Sequence, residues 1–128
     1  MTVERDDSQF PFVVIRPIGK TRNEDVAENL RFLDRCFARE APFSVLFDIR
    51  RGSSLSSTQR RMYIEFFAAN EARIAKHFLG GVTVSGSPLV RGAVRAMFWA
   101  YPPRFATLVT DDLSQGEAWI RAKLARAA

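Results

Sequence analysis

The sequence predicts an α/β protein: a single-layer, mixed but mainly parallel sheet of about four to five strands, packed by about four helices in the order β-β-α-β-α-β-α-β-α. Three observations carry this. Phe43–Ile49 and Leu79–Ser85 are apolar runs of strand length, the first bounded by Pro42 and Gly52. Between such runs lie segments whose apolar residues recur three and four apart, the period of a helix with one buried face. The two patterns alternate along the chain, and a strand–helix–strand alternation implies parallel neighbours joined by crossovers. At 128 residues the chain, 1–128, makes one domain with a sizeable core.

The opening segment, Val3–Gln9, is mostly polar and reads as a short edge strand. Phe12-Val-Val-Ile15 follows, with Pro11 and Pro17 on either side, where proline belongs at a strand end or bend. These two segments predict a hairpin that makes the sheet mixed. Thr21 and Glu24 have capping-box spacing. Val26, Leu30, Leu33 and Phe37 then mark one face of a helix, widened by Phe32 and Cys36.

After Phe43–Ile49 comes the polar loop Arg50-Arg-Gly-Ser-Ser-Leu-Ser-Ser-Thr-Gln-Arg-Arg61. Ser56 and Gln59 form another capping-box pair. The helix opening at Ser57 is predicted to run to about His77, burying Tyr63, Phe67, Ile74 and Phe78, with Met62 and Phe66 beside them. The two glycines of Leu79-Gly-Gly-Val imply that something approaches that backbone closely.

Ser87-Pro88 starts the third helix with an N-cap and a proline at the first helical position. From Leu89 to Tyr101 this helix is apolar nearly all round, interrupted by Arg91 and Arg95, and Pro102-Pro103 stops it. Such a helix is either buried more deeply than a surface helix or turns its outer face to another chain. Met97 and Trp99 lie about 200° apart around a helix axis, so Met97, Phe98, Trp99 and Tyr101 do not all face inward, and they are the candidate interface residues. Phe105–Val109 is the last strand. Asp111-Asp112 reads as capping and dipole complement. Ser114 and Glu117 suggest a capping box for a final helix with Trp119, Ile120 and Leu124 inward.

The totals exclude several classes. No apolar run approaches the ~18 residues of a membrane span, and the N-terminus has neither the basic start nor the apolar centre of a signal peptide. A single cysteine, Cys36, excludes an internal disulfide and suits a reducing, cytoplasmic setting. The only histidine is His77, near a helix C-terminus, and no metal-ligand spacing, Walker loop or nucleophile elbow occurs. No cofactor is implied, and an enzyme is not expected. The net charge of +5 raises the chance of an anionic partner, but acidic residues are interspersed and there is no aromatic-basic stripe, which argues against nucleic acid.

One constellation is cationic. Arg50, Arg51, Arg60 and Arg61 flank a loop containing Ser53, Ser54 and Ser57, while Arg91 and Arg95 open the next helix. If the strands feeding these segments are parallel neighbours, both groups lie at the carboxyl edge of the sheet, where arginine forks suit phosphate or carboxylate. The alternative is a set of solvated arginines with their stems on apolar surface.

The whole pattern resembles a STAS domain, the sulfate-transporter and anti-sigma-factor-antagonist fold, and more closely its SpoIIAA-like branch. The resemblance lies in Arg16-Pro-Ile-Gly19 before a capped helix, Val45-Leu-Phe-Asp-Ile-Arg50, Gly81-Val-Thr-Val-Ser-Gly-Ser-Pro88, and the closing Glu117-Ala-Trp-Ile120. It implies a non-enzymatic protein-interaction module in bacterial signalling or scaffolding, docking through the loop and helix after strand 43–49; the apolar residues of the third helix, read by themselves, add homo-oligomerisation or a partner contact there. It also implies a phosphorylation position. Counting from Asp48, the residues matching the family's Asp-Ser-Ser-Gly are Ser56-Ser-Thr-Gln59, which makes Ser57 the counterpart of the phosphorylated serine, although the Asp before it and the Gly after it are missing here. The competing expectation, from the residues, is a binder of a small anionic ligand, lipid or nucleotide, at the Arg-rich rim.

Overall fold

A computed structural model describes residues 2–127. The strands are β1 (Thr2–Asp6), β2 (Phe12–Ile18), β3 (Phe43–Asp48), β4 (Phe78–Val84) and β5 (Ala106–Thr110). The helices are α1 (Asn23–Phe37), α2 (Ser57–Ala69), α3 (Glu71–His77), α4 (Pro88–Ala100) and α5 (Leu113–Ala127). The five strands form one sheet in the order β1-β2-β3-β4-β5. β1 pairs antiparallel with β2, confirming the hairpin, and every later pair is parallel.

Because the strand order never reverses, right-handed crossovers place every connecting helix on the same face of the sheet. Strand side chains alternate between faces, and the packing follows that parity. Val13, Ile15, Phe43 and Val45 meet Phe32, Leu33, Phe37 and Ile74 of α1 and α3 in the larger core. Leu46, Val82 and Val84 turn the other way, onto Ile120 of α5. The phenylalanines of the larger core touch edge-on, Phe37 with Phe43 at 5.0 Å and Phe78 with Phe105 at 4.6 Å between ring centroids, a geometry aromatic quadrupoles favour.

The paired glycines of β4 divide their roles. A Cβ on Gly80 would lie 2.7 Å from the Trp119 ring, so this glycine is where α5 lays its indole on the sheet. At Gly81 the nearest atom would be at 3.5 Å, an ordinary contact. The expected close approach is therefore real at the first glycine of the pair.

The structure corrects three expectations. The segment predicted as one helix from Ser57 to His77 is two, which raises the helix count from about four to five. Asn70 has φ −119° and ψ 24°, and its side-chain amide donates to the Phe66 carbonyl at 2.8 Å. That bond competes with the helical ladder and breaks it. Phe78, expected on the helix, is the first residue of β4. The cap of α1 is made one residue later than the Thr21/Glu24 spacing suggests. The Arg22 amide donates to Asp25 Oδ2 at 2.8 Å, while the Thr21 amide is drawn to Ser53 Oγ at 3.1 Å. At α5 the Ser114/Glu117 box does not form; the cap bond goes to Asp112, as the capping role read for Asp111-Asp112 expects, from the Gln115 amide at 3.2 Å. The Ser56/Gln59 capping box forms as expected, with bonds of 3.0 and 3.1 Å.

For α4 two alternatives were open, deeper burial than a surface helix or an outer face turned to another chain. None of its residues is buried, which removes the first. It packs mainly against β5, and its outward row Leu89, Gly92, Ala96, Trp99 and Ala100 is exposed.

Candidate functional site

The carboxyl ends of β3 and β4 open onto one rim, because the two strands run parallel with Phe47 opposite Thr83 and Asp48 opposite Val84. The loop after β3 and the start of α4 are therefore neighbours, which meets the condition set in the sequence reading. Gly52 bridges to Gly19 after β2, and Gln59, buried, donates through Nε2 to the Thr21 carbonyl at 2.9 Å. These contacts tie the loops of β2 and β3 together and fix the start of α2.

The rim does not gather the arginines into one site. Asp48 shares the parity of Leu46 and so lies on the α5 side. It is 2% exposed and accepts from Arg50 Nε and Nη2 and from Arg16 Nε, each at 2.8 Å. Arg16 also reaches Glu4 at 2.9 Å. Burial alone pushes the Asp48 pKa up, but the hydrogen bonds from Arg50 and Arg16 outweigh it and hold the carboxyl at about 2. Arg50 is thereby committed to an internal carboxylate. On the opposite side of the rim, Arg60 Nη1 donates to the Leu55 carbonyl at 2.7 Å. Arg91 donates to the Ser85 carbonyl at 2.8 Å and Arg95 to the Val109 carbonyl at 3.1 Å. Arg51 and Arg61 are exposed and make no side-chain hydrogen bond among the described residues. Ser57 is the first residue of α2, exposed beside its cap Ser56.

Between the helical face of the sheet, α2 and α4 lies a cavity of about 110 Å³. Phe47 and Thr83 form its floor, Tyr63 and Phe67 one wall, and Val94 and Phe98 of α4 the other. Of the arginine set only Arg60 borders it, with Ser53 and Ser54. Met97 and Phe98 thus turn inward, whereas Trp99 and Tyr101, grouped with them as interface candidates, are 86% and 59% exposed.

Two polar residues that sequence reasoning did not single out as site residues belong to the same cavity. Thr21 borders it, 7% exposed, with no hydrogen-bond partner for its hydroxyl. Asn29 borders it too, donating to the Tyr63 hydroxyl at 3.1 Å and accepting from Arg5 Nε at 2.8 Å. Burial raises the pKa of Tyr63. A signal for Asn29 was present: it sits three residues after Val26 and four before Leu33, a polar residue on the inward stripe of α1.

No family model and no curated protein matches the sequence. Solved structures do. An uncharacterised protein of the DUF3478 family with a SpoIIAA-like fold, from Shewanella loihica PV-4, superposes with a TM-score of 0.67 at 19% identity, over 93% of this chain and 92% of that one. An anti-sigma factor antagonist from Mycobacterium paratuberculosis superposes with a TM-score of 0.57 at 14% identity, over 94% and 93%. The chain has the SpoIIAA-like fold that the sequence resemblance implied.

Proposed function

We propose that this SpoIIAA-like domain is a non-enzymatic protein-interaction module in signalling, and that its contact surface is the outer face of α4 with the adjoining rim. The observation that carries the reading is the exposure of α4: Leu89 is 85% and Trp99 86% exposed on a row of otherwise small apolar residues. Leaving a tryptophan and a leucine in water forgoes roughly 1.5–3 kcal/mol of burial for a side chain of this size, and contiguous apolar faces of this kind mark contact surfaces. Between Pro88 and Arg104 the chain carries Arg91, Arg95 and Arg104 and no acidic residue. The partner this surface suits has an apolar strip flanked by carboxylates. Arg51, Arg61 and Ser57 supply a charged margin at the start of α2. Phosphate on Ser57 would stand at a helix N-terminus within one turn of Arg60 and Arg61, a favourable place for negative charge.

The cysteine and the buried carboxylate are committed to structure, which supports the non-enzymatic reading. Burial raises the Cys36 thiol to about 11, Asp48 is held ionised by two arginines, and His77 closes α3. The anti-sigma factor antagonist of the same fold supports a partner that is itself a protein. The test is a photo-crosslinking residue placed in turn at positions 89, 96 and 99, and at position 28 on α1 as control, in the host cell. The reading predicts one discrete adduct from the α4 positions and none from position 28. An adduct of twice the chain mass would identify the partner as a second copy. Equal labelling from all four positions, or none, would refute it.

A further inference from the structure

We propose that the cavity beneath α4 is a binding site for a small amphiphile, a compact apolar body bearing one carboxylate. This site faces inward and stands whether or not the outer face of α4 docks a partner. Protein interiors ordinarily close such spaces to the density of organic crystals. Here Phe47 and Phe67 face α4 across about 110 Å³, and the inward residues Val94 and Phe98 remain only partly buried. An apolar cavity of about 150 Å³ is known to take up benzene; at about 110 Å³ this one has room for a smaller body, a short alkyl chain.

Thr21, Ser53 and Arg60 of the lining follow the carboxyl ends of their strands, and the Thr21 amide donates to Ser53 Oγ; Asn29 and Tyr63, also in the lining, bond each other. Phe67 and Phe98 lie toward Phe105, at 5.3 and 6.4 Å between centroids. The Thr21 hydroxyl is buried and unpartnered. Arg60 makes one bond, to a neutral carbonyl, and has no carboxylate partner among the described residues. A guanidinium with free N–H groups and an unpartnered hydroxyl, both lining one cavity, suit a carboxylate, which accepts from N–H and O–H donors alike. A nucleotide is disfavoured, because its phosphates need further cations, and Arg50 lies on the other side of the rim, paired with Asp48.

The experiment titrates the full chain, isotopically labelled, with butanoate, butanol and butylamine while amide chemical shifts are followed. The expected result is saturable butanoate binding that shifts Thr21, Thr83, Val94 and Phe98, at least about tenfold tighter than butanol and with butylamine weaker still, as one charge-assisted contact implies. Arg60→Gln is expected to abolish the preference for butanoate over butanol. Val94→Phe, which fills the roof, is expected to weaken both. No saturable shift at these amides with any probe would overturn the proposal. So would shifts confined to Leu89 and Trp99, or a butanoate preference that survives Arg60→Gln.

Discussion

Replacing Asp48 with asparagine removes a charge while nearly preserving shape, and the structure gives a size for the loss. The carboxylate accepts from Arg50 and Arg16, and it titrates at about 2 instead of the ordinary 3.8. A depression of that extent corresponds to about 2 kcal/mol of native-state stabilisation. Breaking a fully buried pair costs more, roughly 3–5 kcal/mol, because a charge is stranded without water. Here the side chains of Arg16 and Arg50 are 31% and 42% exposed and recover hydration, so the smaller figure applies. Since the folded pKa is lowered, the stabilisation is complete above the unfolded value of 3.8 and drains away as pH falls through about 2. Urea unfolding of the wild type and Asp48→Asn should therefore show a gap of about 2 kcal/mol at neutral pH, with the curves converging between about pH 4 and 2. A gap that is absent at neutral pH, or constant down to pH 2, would refute the reasoning.

Three further outcomes follow from single contacts. Gly80→Ala sets a methyl 2.7 Å from the Trp119 ring and should cost about 1–3 kcal/mol in urea unfolding, with Gly80→Ala/Trp119→Leu recovering part of it. The Cys36 thiol, 1% exposed and raised by burial to about 11, should react with a disulfide reagent at pH 8 only after unfolding; stoichiometric labelling of the native protein would contradict its core position. Ser57→Asp places a carboxylate in the first turn of α2, which has no acidic residue there, and should raise stability by about 0.3–1 kcal/mol, an effect that added salt should diminish.

How much of this was legible depended on whether a pattern is local. Phe43–Ile49 and the Ser56/Gln59 pair are fixed by neighbours in sequence, and they fold as read. Asn70 misled because it sits inside an apolar repeat that continues past it, from Phe67 to Ile74; only its side-chain bond to Phe66 ends the helix. The depth of α4 was undetermined for a different reason. Leu89, Val94, Phe98 and Trp99 have the same composition whether a helix sinks into a core or stands off it, and the choice rests on packing that no local pattern carries. The parity of Asp48 explains why the arginines read as one cluster but divide between two faces. The cavity was illegible because its parts come from β2, β3, β4, α1, α2 and α4, and no one segment carries its outline.

The most direct measurement of the central claim is the affinity of the purified domain for the polypeptide captured from position 99, compared between the wild type and Trp99→Ala. An exposed tryptophan at the centre of an interface contributes about 2 kcal/mol or more, so the variant should bind at least about 30-fold more weakly, with unfolding stability unchanged within about 0.5 kcal/mol. Equal affinity of the two proteins would show that the outer face of α4 is not where the partner docks.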